Sequence, residues 1–212
     1  MSKNETLKVM IYDDSTLDDG WDGLKEDGLA LSWKWGDKLY RKFGSIDIAF
    51  GAKSFEEAFG YISNLDPEKK VSEVHFWCHG GPGKVYLNRK FLNIDNIGPS
   101  GFHAVGLRKL KARLTDDALV WFRCCSLFAG QEGHDFAKKF AHVLNKDGTS
   151  RRVAAYTHII GPSQSGLHTL GPGEEPSWSL TEGLDENGKM KWSRFWKKNT
   201  VSCLRGTIPK GW

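Results

Sequence analysis

Short runs of consecutive apolar residues recur along the chain, and segments with a helical repeat lie between them. Such runs are typical of strands that are buried on both faces of a parallel sheet. The predicted strands are Leu7 to Tyr12, Ile46 to Phe50, Val71 to Cys78, Ala118 to Phe122 and Val153 to Ile160. The intervening segments carry apolar residues at helical spacing along one stripe. The predicted helices are Phe55 to Leu65, Val105 to Leu114 and Glu132 to Leu144.

Strands that alternate with helices predict an α/β domain with a mostly parallel central sheet and right-handed crossovers. We predict a single domain over residues 1–212, with a core from about residue 6 to residue 193 and a carboxy-terminal tail from 194 to 212. In open parallel sheets the functional residues lie at the carboxyl ends of the strands. We therefore expect candidate functional residues at the carboxyl ends of the predicted strands.

The second half of the chain contains segments without a clear repeat. Gly161 to Pro176 is rich in Gly, Pro and Ser, which predicts one long mobile loop. Ser177 to Leu180 and Met190 to Trp192 lie on either side of Asp185-Glu-Asn-Gly188, and this order predicts a β-hairpin.

Two further segments carry predictions of their own. Asn145 to Arg152 is polar and predicts an exposed loop, in which Arg151-Arg152 is a candidate processing site. The amino-terminal region is rich in tryptophan, with Trp21, Trp33 and Trp35, and we expect it to pack over one face of the sheet.

The charge of the chain argues against nucleic acid as a partner. The formal net charge is +4, and the 30 basic residues are scattered among 26 acidic ones rather than gathered into a stripe. No apolar run approaches the roughly 20 residues that span a bilayer, so we expect no membrane span. Met1 to Glu5 is polar, so we expect no cleaved signal peptide and a cytoplasmic protein. Export by a route without a cleaved signal stays open.

The four cysteines do not form a recognisable disulfide framework. Cys124 and Cys125 are adjacent, and adjacent side chains of an extended strand point to opposite faces. Free thiols in a reducing compartment are the simpler interpretation for these two and for Cys78 and Cys203.

Two of the predicted strands end at residues that can carry chemistry. Val74-His-Phe-Trp-Cys-His79 continues into Gly80-Gly-Pro-Gly83, and Leu119-Val-Trp-Phe-Arg-Cys-Cys125 continues into Ser126-Leu-Phe-Ala-Gly130. If the two strands are neighbours, they lie roughly 4.8 Å apart. His79 and Cys125 could then approach one another.

An imidazole beside a thiol is the arrangement that cysteine hydrolases need. The imidazole takes the proton of the thiol and later delivers a proton to the leaving amine. The amino-terminal end of the helix that begins near Gln131 could further favour the thiolate. The backbone amides of Gly80 and Cys125 could form an oxyanion hole, because a glycine lets its backbone approach a substrate closely.

These motifs resemble the caspase-like (clan CD) cysteine peptidases. In that family one core strand ends at His-Gly and the next core strand ends at the catalytic cysteine, with the histidine roughly 50 residues upstream. The chain is most similar to bacterial caspase-like domains of unassigned function. Their order of motifs is matched here by the following five segments: His79-Gly-Gly-Pro-Gly83, Cys125, Ala129-Gly130 with Gly133, Val153-Ala-Ala-Tyr-Thr157 and Trp178-Ser-Leu180.

The resemblance implies a fold, an activity and a set of site residues. The implied fold is a three-layer α/β/α sandwich, and the implied activity is that of a cysteine endopeptidase that acts on a protein or peptide through an acyl-enzyme, without a cofactor. Cys125 is the implied nucleophile and His79 the acid–base. The predicted substrate-binding residues are Asp14, Arg123, Cys124, His158 and Ser163.

Cues to the preferred substrate conflict, and one position departs from the family. Arg123 suits an acidic substrate side chain, whereas Asp13 and Asp14 suit a basic one. The acidic residue that metacaspases carry before the cysteine is absent. Cys124 occupies a position where the relatives have glycine, so the choice of Cys125 over Cys124 rests on the spacing to Gly130 and Gly133.

Three alternatives to a peptidase stay open on the sequence. The first is a catalytically inactive recognition or toxin-associated module on the same fold. The second is a zinc site made by Cys78, His79, Cys124 and Cys125, although adjacent ligands lack the usual zinc-ligand spacing. The third is an α/β-hydrolase-type esterase or aminopeptidase, because His79-Gly-Gly-Pro-Gly83 is similar to the oxyanion turn of that fold; the Gly-x-Ser-x-Gly elbow is absent.

Overall fold

The computed structural model of the protein describes residues 6–14, 36, 38, 40–42, 44–88 and 90–209. The predictions for Trp21, Trp33 and Trp35 lie outside the described residues. The strands are β1 (Thr6–Asp13), β2 (Ile48–Ala52), β3 (Lys70–Trp77), β4 (His79–Gly81), β5 (Lys84–Leu87), β6 (Lys90–Leu92), β7 (Leu114–Arg123), β8 (Arg152–Tyr156), β9 (Ser163–Gln164), β10 (Leu167–Leu170) and β11 (Val201–Ser202). The helices are α1 (Phe55–Ser63), α2 (Ala104–Arg113) and α3 (Gly130–Leu144).

The central sheet has six strands in the order β10-β8-β7-β3-β1-β2. All neighbours pair in parallel except β10, which runs antiparallel to β8. The prediction of a mixed α/β fold with a mostly parallel central sheet flanked by helices is confirmed. Two small antiparallel sheets, β4-β5-β6 and β11-β9, adjoin it.

One face of the central sheet, here called the helix face, packs against the three helices. Alternate residues of the strands point to this face, among them Val74, Phe76, Val120 and Phe122. They pack with apolar residues of α1, α2 and α3, which places the largest apolar cluster of the described residues on this side. Rings dominate the contacts: the centroid of Phe122 lies 5.2 Å from that of Phe76 and 5.1 Å from that of Phe140.

The opposite face, here called the tail face, has a different cover. Trp77 packs there with Tyr40 and Ile46, and Trp121 packs with Tyr156 and Val201. Residues 36, 38 and 40–42 have helical backbone, and Tyr40 is buried among them. The chain after residue 193 supplies the rest of the cover, because Val201 and Ile208 lie in the same apolar cluster as Trp121.

The predictions for the segment after β8 are wrong in two places. Gly161 to Pro176 is not one long loop, because β9 and β10 lie within it and β10 forms the edge of the central sheet. The predicted hairpin of Ser177–Leu180 with Met190–Trp192 does not form. Instead, single bridges join Leu184 to Met190 and Ile159 to Trp192.

Arg151 is also unlike the exposed processing residue that its polar segment predicted. Its side chain is 4% exposed, and its guanidinium donates to the carbonyls of Thr115 and Leu144 and to the carboxylate of Asp147. Arg152 is the first residue of β8 and binds Glu174 through two hydrogen bonds. A protease therefore does not find an accessible dibasic loop here.

Among the described residues, no helix combines the length and the apolar character that crossing a membrane requires.

Candidate active site

His79 and Cys125 follow neighbouring strands in matching register. Trp77 pairs with Arg123 at the ends of β3 and β7, and His79 and Cys125 come two residues after each of these partners. The two residues therefore leave the sheet side by side at its carboxyl edge. Both are partly exposed.

Gly80 allows the ends of the two strands to pack closely. A Cβ built on Gly80 would lie 2.7 Å from the sulfur of Cys124 and 2.8 Å from the carbonyl oxygen of Cys125. No side chain fits in that space, so glycine at this position lets the backbone after His79 touch the backbone at Cys125. This contact is a packing reason for the glycine, besides any role in binding a substrate.

The amide of Gly80 lies outside the hydrogen bonds of its own hairpin. β4 and β5 form a hairpin in which Gly81 pairs with Lys84 around a two-residue turn, and Gly80 pairs with Val85. Hydrogen-bonded and non-hydrogen-bonded pairs alternate in an antiparallel ladder, and the pair that closes a two-residue turn is hydrogen-bonded. The N–H of Gly80 therefore points away from β5.

Ser126 makes the turn that lifts Cys125 off the strand. Its φ is +51°, in the left-handed region that non-glycine residues rarely adopt. Two hydrogen bonds hold this backbone: the N–H of Ser126 donates to the carbonyl of His158 at 2.9 Å, and the N–H of Ala129 donates to the carbonyl of Ser126 at 3.0 Å. Strain of this kind costs of order 1–3 kcal/mol and is common at functional sites.

The thiol of Cys125 is neutral at physiological pH. Burial raises its pKa to about 11, and this effect outweighs the backbone N–H of Ile160, which donates to the sulfur and lowers the pKa. We expected the neighbouring imidazole and the helix amino terminus to favour a thiolate. In the structure, burial dominates instead.

His79 is also neutral. Burial lowers the pKa of His79 below its ordinary value, and the carboxylate of Asp13 acts in the opposite direction without reversing the shift. Asp13 is almost fully buried at the end of β1, the strand next to β3, and accepts a hydrogen bond from the N–H of Asn88 at 3.0 Å. A neutral imidazole beside a neutral thiol is a base that can accept the thiol proton.

Cys124 differs from Cys125 in its exposure and in its surroundings. Cys124 is completely buried on the helix face, where its thiol meets that of Cys78. Burial raises the pKa of Cys78 well above its ordinary value, and the contact with Cys124 raises it further. These two thiols pack as small apolar side chains.

The predicted substrate-binding residues are spread over the same edge, and all of them except Asp14 are buried. Asp14 follows β1 and its N–H donates to the carbonyl of Ala52, which places it on the side of β2. His158 is buried behind the turn at Ser126. Arg123 and Ser163 are also buried, because the chain near residue 203 lies over them.

Sequence reasoning missed a polar network that anchors the segment after β8. Glu182 accepts hydrogen bonds from Thr157 at 3.0 Å and from His168 at 2.7 Å, and the hydroxyl of Thr157 also lies 3.0 Å from Nδ1 of His158. Trp178 stacks on the His168 ring at 4.7 Å and donates from its indole N–H to the carbonyl of Phe128. The network therefore joins β10 to the turn that follows Cys125 and to the residues that follow β8. The match of Trp178-Ser-Leu180 to the family order was its one sequence signal.

Within the described part of the chain, no group of three or more His, Cys, Asp or Glu side chains is arranged to hold a metal ion.

The central part of the chain identifies the family to which it belongs. Residues 51–170, which run from β2 to β10 and include both His79 and Cys125, match the family described as a domain of unknown function, DUF4347. The chain belongs to this family. None of the curated proteins is significantly similar to the chain.

Proposed function

We propose that the protein is a caspase-like cysteine peptidase in which Cys125 is the nucleophile and His79 the general acid–base. The observation that carries this proposal is the matching register of the two residues at the ends of β3 and β7, with Gly80 packed against Cys125. Cysteine hydrolases are identified by this geometry of nucleophile and base rather than by sequence position.

The resting protonation states fit a general-base mechanism. The Sγ–H proton of Cys125 passes to the neutral imidazole of His79 as the sulfur attacks the peptide carbonyl. In this mechanism the N–H of Gly80, which points away from β5, and the N–H of Cys125 donate to the developing oxyanion. The C–N bond then breaks and the amine takes the proton from His79. Water, deprotonated by His79, hydrolyses the thioester and restores the thiol.

The proposal includes the three-layer α/β/α sandwich of that family. The three helices on the helix face form one outer layer. The helical residues 36, 38 and 40–42, with Tyr40 packed against Trp77, support a second outer layer on the tail face.

A second candidate is a binding module that keeps this fold without catalysis. The raised pKa of Cys125 and the coverage of Arg123 and Ser163 favour it, since a nucleophile with little thiolate and a covered edge is not poised for turnover in the resting state.

Hydrolysis of a peptide library, analysed by mass spectrometry, separates the two candidates. Wild type and Cys124→Ala should cleave the same bonds, whereas Cys125→Ala and His79→Ala should lose cleavage by about 10³-fold or more. Cys124→Ala is the matched control, because it changes the adjacent cysteine on the other side of the strand. Cleavage that survives in Cys125→Ala would refute the peptidase.

A further inference from the structure

The carboxy-terminal part of the chain adds a strand beside the candidate active site. The tail segment, defined as residues 199–206, pairs antiparallel with β9: Val201 faces Gln164 and Ser202 faces Ser163. Two further backbone bonds extend the contact, from the N–H of Cys203 to the carbonyl of Pro162 at 2.9 Å and from the N–H of Leu167 to the carbonyl of Asn199 at 3.0 Å. The tail segment thus pairs with β9 through its backbone, as an added peptide strand does, and β9 has no other strand partner among the described residues.

Arg123 anchors the tail segment from below. Its guanidinium donates to the carbonyl of Arg205 at 2.6 Å and to that of Cys203 at 3.0 Å, and it also donates to the side chain of Gln164 at 2.7 Å. The rings of Trp77 and Trp121 lie against the guanidinium, with centroids 4.3 Å and 4.2 Å from it. The residue is 1% exposed.

Among the described residues, no acidic side chain forms an ion pair with Arg123, so its charge meets neutral partners there. Its oxygen partners are two backbone carbonyls, the hydroxyl of Tyr40 and the amide of Gln164, which also accepts the hydroxyl proton of Tyr156 at 2.6 Å. A buried cation is costly without a counter-charge, and a carboxylate is the strongest partner for a guanidinium. The carbonyls of Cys203 and Arg205 stand where carboxylate oxygens would bind best.

This anchor is close along the chain to the reacting sulfur. Arg123 is the last residue of β7 and precedes Cys125 by two residues. Pro162, which holds Cys203, is two residues from Ile160, whose N–H donates to the Cys125 sulfur.

The tail segment is bound through its backbone and only partly buried. Its regular pairing covers two residues, and the hydroxyl of Tyr40 also donates to the carbonyl of Cys203. Val201 and Gly206 are buried, whereas Ser202, Leu204 and Arg205 are exposed to solvent, Leu204 by 57%. Segments with few buried apolar contacts open at a lower free energy than the core.

We propose that the tail segment is an internal ligand of a peptide-binding edge formed by β9 and Arg123, and that an extended peptide with an acidic side chain takes this edge when the tail segment leaves. The inference rests on the proposed peptidase function for its biological meaning, since it names the substrate class and the self-blocking element of that site. The binding step itself is independent of catalysis.

Binding of a labelled peptide to a catalytically silent chain tests the proposal. The probe is fluorescein-Val-Thr-Val-Asp-amide, with the Asn peptide as its matched control, and the protein carries Cys125→Ala. A chain that ends at Asn199 should bind the Asp peptide at least about tenfold more tightly than the full chain does, and about tenfold more tightly than the Asn peptide. Arg123→Gln should remove the preference for Asp, whereas Arg152→Gln, which loses a pair with Glu174, should keep it.

A reversible disulfide between β9 and the tail segment, here called the staple, tests in the full chain whether the tail segment blocks peptide binding. Because Cys203 and Pro162 share a hydrogen bond, Ser202 and Ser163 form a non-hydrogen-bonded pair, whose Cα atoms lie about 4.5 Å apart, within disulfide range. The variant Ser163→Cys/Ser202→Cys/Cys203→Ser/Cys125→Ala should bind no Asp peptide when oxidised and regain binding when reduced. Equal binding in both states, or equal binding of the Asp and Asn peptides by the shortened chain, would overturn the proposal.

Hydrogen exchange decides the case if the shortened chain does not fold. The amides of Val201 and Cys203 in the full chain should exchange faster than those of β7, and the Asp peptide should accelerate their exchange further. Exchange of these amides only through global unfolding would overturn the proposal. Binding without hydrolysis in the chain that retains Cys125 would refute the peptidase and leave this inference standing. Hydrolysis of the Asp and Asn peptides at equal rates, by the full chain and by the chain that ends at Asn199 alike, would do the reverse.

Discussion

The two faces of the central sheet are built on different principles. The helix face is a continuous apolar cluster sealed by three helices, and the cysteine that points into it, Cys124, is packed away from solvent. The tail face buries polar and charged groups as well, among them His75, Arg123 and Gln164, and part of its cover is the tail segment, which pairs with a strand of only two residues. We infer that the helix face supplies stability and the tail face supplies chemistry.

The largest effect on stability should come from removing a large buried side chain from the helix face. Phe122→Ala removes a fully buried ring that contacts three others, so the free energy of unfolding should fall by about 3–5 kcal/mol. Val201→Ala on the tail face, with two methyl groups fewer, should cost only about 1.5 kcal/mol. Urea unfolding measures both. Equal losses would contradict the contrast between the faces.

The second prediction concerns the thiol at the tail-face end of β7. In a Cys203→Ser chain, the rate of alkylation of Cys125 by iodoacetamide should rise with pH toward a midpoint near 11, because burial disfavours the thiolate. At pH 7 the rate should be about two orders of magnitude below that of a free cysteine with a pKa of about 8.5. Cys124 should stay unlabelled while the chain is folded. A midpoint below 8.5 would show that the site favours the thiolate instead.

The third and smallest effect comes from the buried histidine of the tail face. Burial lowers the pKa of His75, whose Nε2 lies 2.7 Å from the carboxylate of Glu73, so the unfolded chain binds the proton more tightly than the folded chain does. The contribution of neutral His75 to the free energy of unfolding is therefore fully present above the unfolded pKa of about 6.5. It is lost as the pH falls below that value. Thermal unfolding between pH 7.5 and pH 5.5 should therefore show a decline that is weaker in His75→Phe. An identical decline in both chains would show that His75 does not cause the pH dependence of stability.

The sequence predicted the parts of the fold that repeat a local pattern. The strands through Val74 and Val120 and the three helices were visible because their apolar spacing is set by burial on one or two sides. These features depend on short stretches of chain. The approach of His79 and Cys125 was predicted only on the condition that their strands are neighbours, and β3 and β7 are neighbours in matching register.

The rest depends on contacts between distant segments. β9 has two residues and pairs with β11, so neither carries a pattern of its own. The burial of Arg123 and Arg151 arises from carbonyls that other segments supply, which is why Arg123 resembled a substrate residue open to solvent and Arg151 an exposed loop residue. The high pKa of Cys125 likewise reflects the depth of its surroundings and has no signal in the sequence.

The pairing of His79 with Cys125 is tested most directly by a mixture of peptidyl chloromethyl ketones that vary in their last residue, with the labelled residue located by mass spectrometry. Both the full chain and the chain that ends at Asn199 are treated, with and without His79→Ala. The account predicts modification of Cys125 alone, at a rate that falls by about 10²-fold or more in His79→Ala. Modification that spreads to other cysteines of the folded chain, or that proceeds at the same rate without His79, would contradict it.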